Sequence, residues 1–214
     1  MADDPQPTSA PATWKATWAA DLARVASRDR WGLALMTVGW IHLTCFLGCQ
    51  AMFCAGDLTP WHYVTAWGFE LVLAVGVLRL LNGPGWHRST PMAGLLVRVW
   101  GTFLILSLNL ASMNALTGLD HDWFKPVWAT LSTFGFATTA YLLSPWFFVP
   151  AVQMYFTGLL MALNPRWNYA IYGVSWCLTL QGLGFILEHR RAASNSPPAP
   201  PPRAHGDPSW ATST

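Results

Sequence analysis

One histidine, two cysteines and one glutamate stand inside stretches of the chain that are otherwise apolar. His42, Cys45 and Cys49 fall at i, i+3 and i+7, with Met52 one turn further on, so a helix would carry them on one face. Imidazole, thiolate and thioether are ligands for Cu(I) or Zn. The same residues also make an ordinary packed face, because Cys and Met pack as apolar side chains and a single helix seldom supplies a whole site. A third use belongs to His42 alone, as the ligand of a pigment or haem in a redox-associated subunit. A bis-histidine haem is disfavoured, because His62 and His189 fall at the edges of apolar stretches and His87 and His121 in loops.

Glu70 is the one acid within an apolar stretch. It lies roughly 12 Å below the outer start of its helix at about 1.5 Å per residue, and Arg98 lies roughly 9 Å inside the inner edge of the next. Arg98, Thr102, Asn109 and Ser112 follow the helical period, with Ile105 between them, and draw a polar stripe on one face. Two readings compete for this intramembrane polar site of Glu70, Arg98, Thr102 and Asn109. It lines a proton or cation path, with Gln50, Gln153 and Gln181 as possible neighbours, or its members hold helices together at about 0.6 kcal/mol per bond.

Catalytic motifs fail on inspection. Gly173-Val174-Ser175-Trp176 lacks the second glycine of a nucleophile elbow, and no histidine follows in a later stretch. There is no Walker loop, no zincin pair and no CxxC. Asp120-His121-Asp122 reads as a solvated turn, with a surface divalent ion as the alternative. A catalytic residue is therefore not assigned, the cofactor is left unknown, and a non-enzymatic role is expected.

The elements that position these residues follow from composition. Of 214 residues, 53% are hydrophobic and only 10% charged, against about 25% charged in a soluble domain. That excludes an ordinary water-soluble protein. A net charge of +2, from 12 Lys+Arg and 10 Asp+Glu, excludes a nucleic-acid partner. Six uncharged or nearly uncharged stretches of membrane-spanning length are read over Gly32–Ala55, His62–Leu81, Met92–Met113, Pro126–Leu143, Trp146–Leu163 and Asn168–Leu187. Turn residues separate them, most weakly at Ser144-Pro145, so the fourth and fifth could instead form a re-entrant hairpin. Pro150 is expected to kink the fifth.

The fold class expected is an all-α integral membrane protein of six transmembrane helices preceded by an amphipathic interfacial helix. The regions are a disordered leader over 1–12, the interfacial helix over 13–31 (Trp14, Trp18, Leu22 and Val25 on its apolar stripe), the bundle over 32–191 and a Pro-rich tail over 192–214. With an even number of spans, Lys15, Arg24, Arg28, Arg30, Arg79, Arg88, Arg98, Arg190, Arg191 and Arg203 gather on one side and only Lys125 and Arg166 on the other. The positive-inside rule makes the crowded side cytoplasmic, with both termini there. Trp31 and Trp86 would anchor the inner edge, and Trp61, Tyr63, Trp123, Trp167 and Tyr169 the outer. The leader lacks the basic start and apolar core of a signal peptide, and a prokaryotic plasma (inner) membrane is the simplest location. The four cysteines, Cys45, Cys49, Cys54 and Cys177, show no disulfide pattern.

Three functions fit. The leading one is a structural or accessory subunit of a larger membrane assembly, its partners being the lipid bilayer and other membrane subunits or further copies of itself. The second is a small transporter or channel centred on Glu70. The third is a redox- or pigment-associated subunit using His42.

Overall fold

The computed structural model describes residues 20–21, 30–57, 59–117 and 121–194, and every regular element among them is helical. The leader, most of the expected interfacial helix and nearly all of the tail lie outside the described residues. The long helices are α1 (Trp31–Cys54), α2 (Pro60–Asn82), α3 (Pro91–Thr117), α4 (His121–Leu142), α5 (Phe148–Leu163) and α6 (Asn168–Ser194). Single 3-10 turns at Trp86–Arg88, Pro145–Phe147 and Pro165–Trp167 connect some of them.

Uninterrupted apolar sequence folds this way because hydrocarbon offers no partner to a backbone N–H or C=O, and a helix satisfies both within one segment. Five segments are long and apolar enough to cross a membrane: α1, α2, most of α3, α5 with the 3-10 turn before it, and α6 with its own. The fourth helix is not among them, although it has 22 residues. Thr130, Ser132, Thr133, Thr138 and Thr139 lower its hydropathy. The hydroxyls of Ser132, Thr133 and Thr139 return to carbonyls four residues back at 2.9, 2.9 and 2.8 Å, so the helix carries these oxygens without leaving them unpaired.

The helix ends obey local chemistry. After α1, Gly56 takes φ 80°, and the Gly56 and Asp57 amides bond the carbonyls of Phe53 and Met52 at 3.1 and 3.0 Å. That is a Schellman ending, which a side chain at Gly56 would strain. Pro60 opens α2 at its first position, where the missing N–H has no use. Pro150 falls in the first turn of α5, not in its interior. The kink expected there therefore has no cause, since proline breaks only the hydrogen bonds of an established helix.

At the centre, α1 and α6 run antiparallel and make the most extensive contact of the bundle. Gly32 of α1 meets Gly184 of α6, and further along Phe46 meets Gly173. A methyl at Gly32 would fall 2.5 Å from the Gly184 carbonyl oxygen, and one at Gly173 would fall 2.6 Å from Phe46 Cβ. Glycine is what lets these two backbones approach. The outer helices build on this pair. α2 rests on α1, α5 packs on α6 and α4, and α3 packs on α4. Tyr63 is the only buried residue of α2.

Aromatic rings fill the space between. Trp100 lies 4.8 Å from Phe136 and 5.4 Å from Trp176, and Trp67 lies 4.6 Å from Trp128, all edge to face. Tyr63 and Tyr169, expected as lipid-facing anchors, are instead buried and stacked on each other at 5.4 Å. Their hydropathy resembles that of an interfacial anchor, but the facing of each helix places them inside. Trp61 and Trp167 do face outward.

Candidate functional site

His42 and Glu70 meet midway along their helices. His42 is the twelfth residue of the 24 in α1 and Glu70 the eleventh of the 23 in α2, each roughly 15 Å from either helix end at about 1.5 Å per residue. The Nδ1 atom of His42 is hydrogen-bonded to Oε1 of Glu70, and the side chains are only 14% and 16% exposed. The imidazole is enclosed by Phe46 at 4.3 Å, Trp176 at 5.6 Å and Tyr172 at 5.9 Å between centroids. Its Nε2 atom is buried with no hydrogen-bond partner among the described residues.

A pair that shares one proton is net neutral, whichever group carries it. Removing or adding a proton leaves a net charge in hydrocarbon, which costs roughly 2.5–3.5 kcal/mol or more. The arrangement is thus chemically able to clamp α2 to α1. In either neutral form Nε2 keeps its own hydrogen; only a metal that displaced it would leave the carboxylate holding Nδ1–H, the arrangement common to metal-ligating histidines.

Cys45 and Cys49 share the His42 face of α1 but do not complete a metal site. The Cys45 thiol points to the Ala66 carbonyl oxygen at 3.5 Å, and Cys49 is buried in the core. Among the described residues, no group of three His, Cys, Asp or Glu side chains is placed to hold a metal ion. The physical reason lies in the spacing. Positions i to i+7 of one helix spread their side chains over about 10 Å of axis, too far for one ion. All four cysteines are free.

Arg98, Thr102 and Asn109 are not brought to Glu70. They lie with Ser112 on the exposed side of α3, around Ile105, which is 69% exposed. The stripe exists as the period predicts, but the opposite face turns inward, because Trp100 and Phe103 pack there against Phe136 and Trp176. The hydroxyls of Thr102 and Ser112 bond back to the carbonyls of Arg98 and Leu108, both at 2.9 Å. Among the described residues the Asn109 amide reaches only the Met113 sulfur, at 3.9 Å.

The three amides once open to a path role each tie helices together. Gln50 donates to the Arg166 carbonyl at 2.8 Å and accepts from the Ala170 amide at 3.2 Å, satisfying the first turn of α6 from α1. Gln181 donates to the Met36 carbonyl at 2.8 Å. Gln153 of α5 donates to the carbonyl of Ser175 at 2.8 Å and to its hydroxyl at 3.1 Å. Ser175 thus belongs to an interhelix knot with Thr157, at 2.6 Å between hydroxyls.

Two polar contacts escaped sequence reasoning. Glu188, near the end of α6, accepts the Leu33 amide at 3.0 Å and caps α1. Lys125, assigned to the outer loop, is fully buried in α4 with its ammonium 3.7 Å above the Phe53 ring and 4.7 Å from that of Tyr169. The sequence before Pro126 resembles a loop, and the aromatic partners come from two distant helices. Nothing local marked it.

At the mouth of the α1–α2 loop, Asp57 accepts from His62 at 2.5 Å and from the Thr59 amide at 3.0 Å. These bonds, the imidazole first, hold its carboxyl down at about 2. Tyr63 ties its hydroxyl to the Asp57 carbonyl at 2.7 Å.

No known family, curated protein or solved structure matches this chain.

Proposed function

We propose that this chain is a six-span integral protein of a prokaryotic plasma membrane, with both termini cytoplasmic, and that it serves as a non-catalytic subunit of a larger membrane assembly. The observation that carries the reading is the outward polar face of α3. Asn109 presents a carboxamide, and Arg98 a guanidinium, on a surface where lipid chains would lie. Arg98 can snorkel to the headgroups, but Asn109 sits about 12 Å from the outer end of α3 and is too short to do so. A neighbouring transmembrane segment supplies the hydrogen bonds that lipid chains lack. The interior agrees, since its amides and the His42–Glu70 pair are engaged between helices. The antiparallel α1–α6 pair, which brings the start of α1 and the end of α6 to one side, supports the even span count.

Native mass spectrometry on protein extracted gently from its own membrane tests this. Additional subunit masses, or copies of this chain, are expected on the wild type and fewer on Asn109→Leu. A bare wild-type monomer overturns the reading.

A second reading rests on the buried Nε2 of His42, which has no hydrogen-bond partner among the described residues. With Nδ1 held by Glu70, Nε2 could ligate a pigment or haem iron on giving up its own hydrogen. Visible absorbance in the purified protein, lost in His42→Ala, would support it, and a colourless wild type would end it.

A further inference from the structure

The lipid-facing side of α5 and α6 carries a groove of about 760 Å³ with apolar walls that include Phe156, Leu160, Ile171, Val174 and Leu178. Its volume falls within the range of small-molecule sites. Trp167 stands at its outer end, 54% exposed.

The floor is polar. Gln153, Thr157 and Ser175 line the groove, and the last two are only 6% and 7% exposed. Their donors are all engaged. Both amide hydrogens of Gln153 go to Ser175, at its carbonyl and hydroxyl oxygens. The Thr157 hydroxyl lies 2.9 Å from the Gln153 carbonyl and 2.6 Å from the Ser175 hydroxyl, and Ser175 lies 3.8 Å from the Met154 sulfur. One strong acceptor remains, Oε1 of Gln153, which receives no hydrogen bond from the described residues.

Depth narrows what can satisfy it. Gln153 is eight residues beyond Pro145 and ten before Leu163, about 12 and 15 Å from the two ends of that segment, and Ser175 is about 10 Å beyond the start of α6. That is near the middle of a ~30 Å hydrocarbon layer. A phospholipid keeps its headgroup at the surface and brings only CH₂ groups to this level. A molecule with a long apolar body and a single weakly polar O–H can place a donor there.

We propose that the α5–α6 groove binds a lipid-soluble alcohol or phenol whose hydroxyl donates to Gln153 Oε1. The site is independent of the assembly reading, because it uses neither α3 nor the His42–Glu70 pair.

The test uses the full chain in phosphatidylcholine nanodiscs, with farnesol bearing a diazirine as the probe. Saturable photolabelling should map to the walls of the groove. Unlabelled farnesol should compete about five- to tenfold better than farnesyl methyl ether, which has no donor, as loss of one hydrogen bond of about 1 kcal/mol or slightly more implies. In Gln153→Leu the two competitors should become equal. Val174→Trp, which fills the groove from an exposed position and leaves the knot intact, should abolish the labelling. If Gln153→Leu does not fold, the alcohol–ether comparison on the wild type decides alone. Non-saturable labelling, or equal competition by alcohol and ether on the wild type, overturns the proposal and leaves a groove filled by acyl chains.

Discussion

Removing one member of the His42–Glu70 pair tests whether the pair clamps α2 to α1. The side chains are 14% and 16% exposed, midway along helices that meet few other neighbours on the α2 side. Breaking a buried ion pair costs about 3–5 kcal/mol when a charge is stranded. Here the survivor can change its protonation and become neutral. The loss then falls toward that of one charge-assisted hydrogen bond with an unsatisfied partner, about 1.5–3 kcal/mol. Glu70→Leu and His42→Leu should each destabilise the bundle by roughly 2 kcal/mol on this basis. The double variant puts apolar side chains on both helices, an exchange that is often neutral or stabilising, so its net change should lie within about 1 kcal/mol of zero. The interaction energy from the cycle is then about 4 kcal/mol, well above the ~0.5 kcal/mol within which independent sites add. Glu70→Gln keeps an acceptor for Nδ1–H and should lose least among the single variants. The assay is reversible unfolding in mixed micelles against the fraction of denaturing detergent. Additive single-variant losses would refute the reasoning, and so would a double variant as unstable as the worse single one.

Two glycines a turn-fraction apart on α6 give a sharper contrast. A methyl at Gly184 would fall 2.6 Å from the Gly32 carbonyl oxygen, whereas one at Gly182 meets open space. In the same unfolding assay Gly184→Ala should cost about 1–3 kcal/mol by overpacking and Gly182→Ala close to nothing; equal effects would contradict the α1–α6 register. The Asp57 carboxyl, titrating at about 2 in place of 3.8, gives a pH prediction. A depressed carboxyl stabilises the loop fully above its ordinary value, and that contribution is lost as pH falls from about 4 to about 2. Carboxyl-carbon NMR should show the Asp57 midpoint near 2, moving up toward 3.8 in His62→Ala, since the imidazole is the largest cause. An unmoved midpoint would mean that the Thr59 bonds alone hold it down.

Much of this molecule was legible because hydrocarbon is an unforgiving solvent. The lengths and limits of the helices followed from apolar runs punctuated by Gly56, Pro60, Gly83 and Pro165, since each backbone group must be paired within its own segment. The same logic singled out His42 and Glu70 before their meeting was known: one is a deep imidazole, the other the sole acid in a span. Helical period alone also drew the Arg98–Ser112 stripe correctly as a stripe.

What period cannot supply is the direction in which a face turns, because a helix with apolar residues all round has no dominant side. That was decided by shape. Trp100 and Phe103 find the aromatic core and so turn Arg98, Thr102 and Asn109 outward, while Gly32, Gly173 and Gly184 admit the close α1–α6 contact and aim Gln50 and Gln181 across it. Pairing Glu70 with His42, and not with Arg98, followed from α2 lying on α1. Burying Lys125 needed rings from α1 and α6 together. Sequence set which residues had to be explained, through the cost of polar groups in lipid. Packing, which depends on side-chain volume summed over several helices, chose their partners.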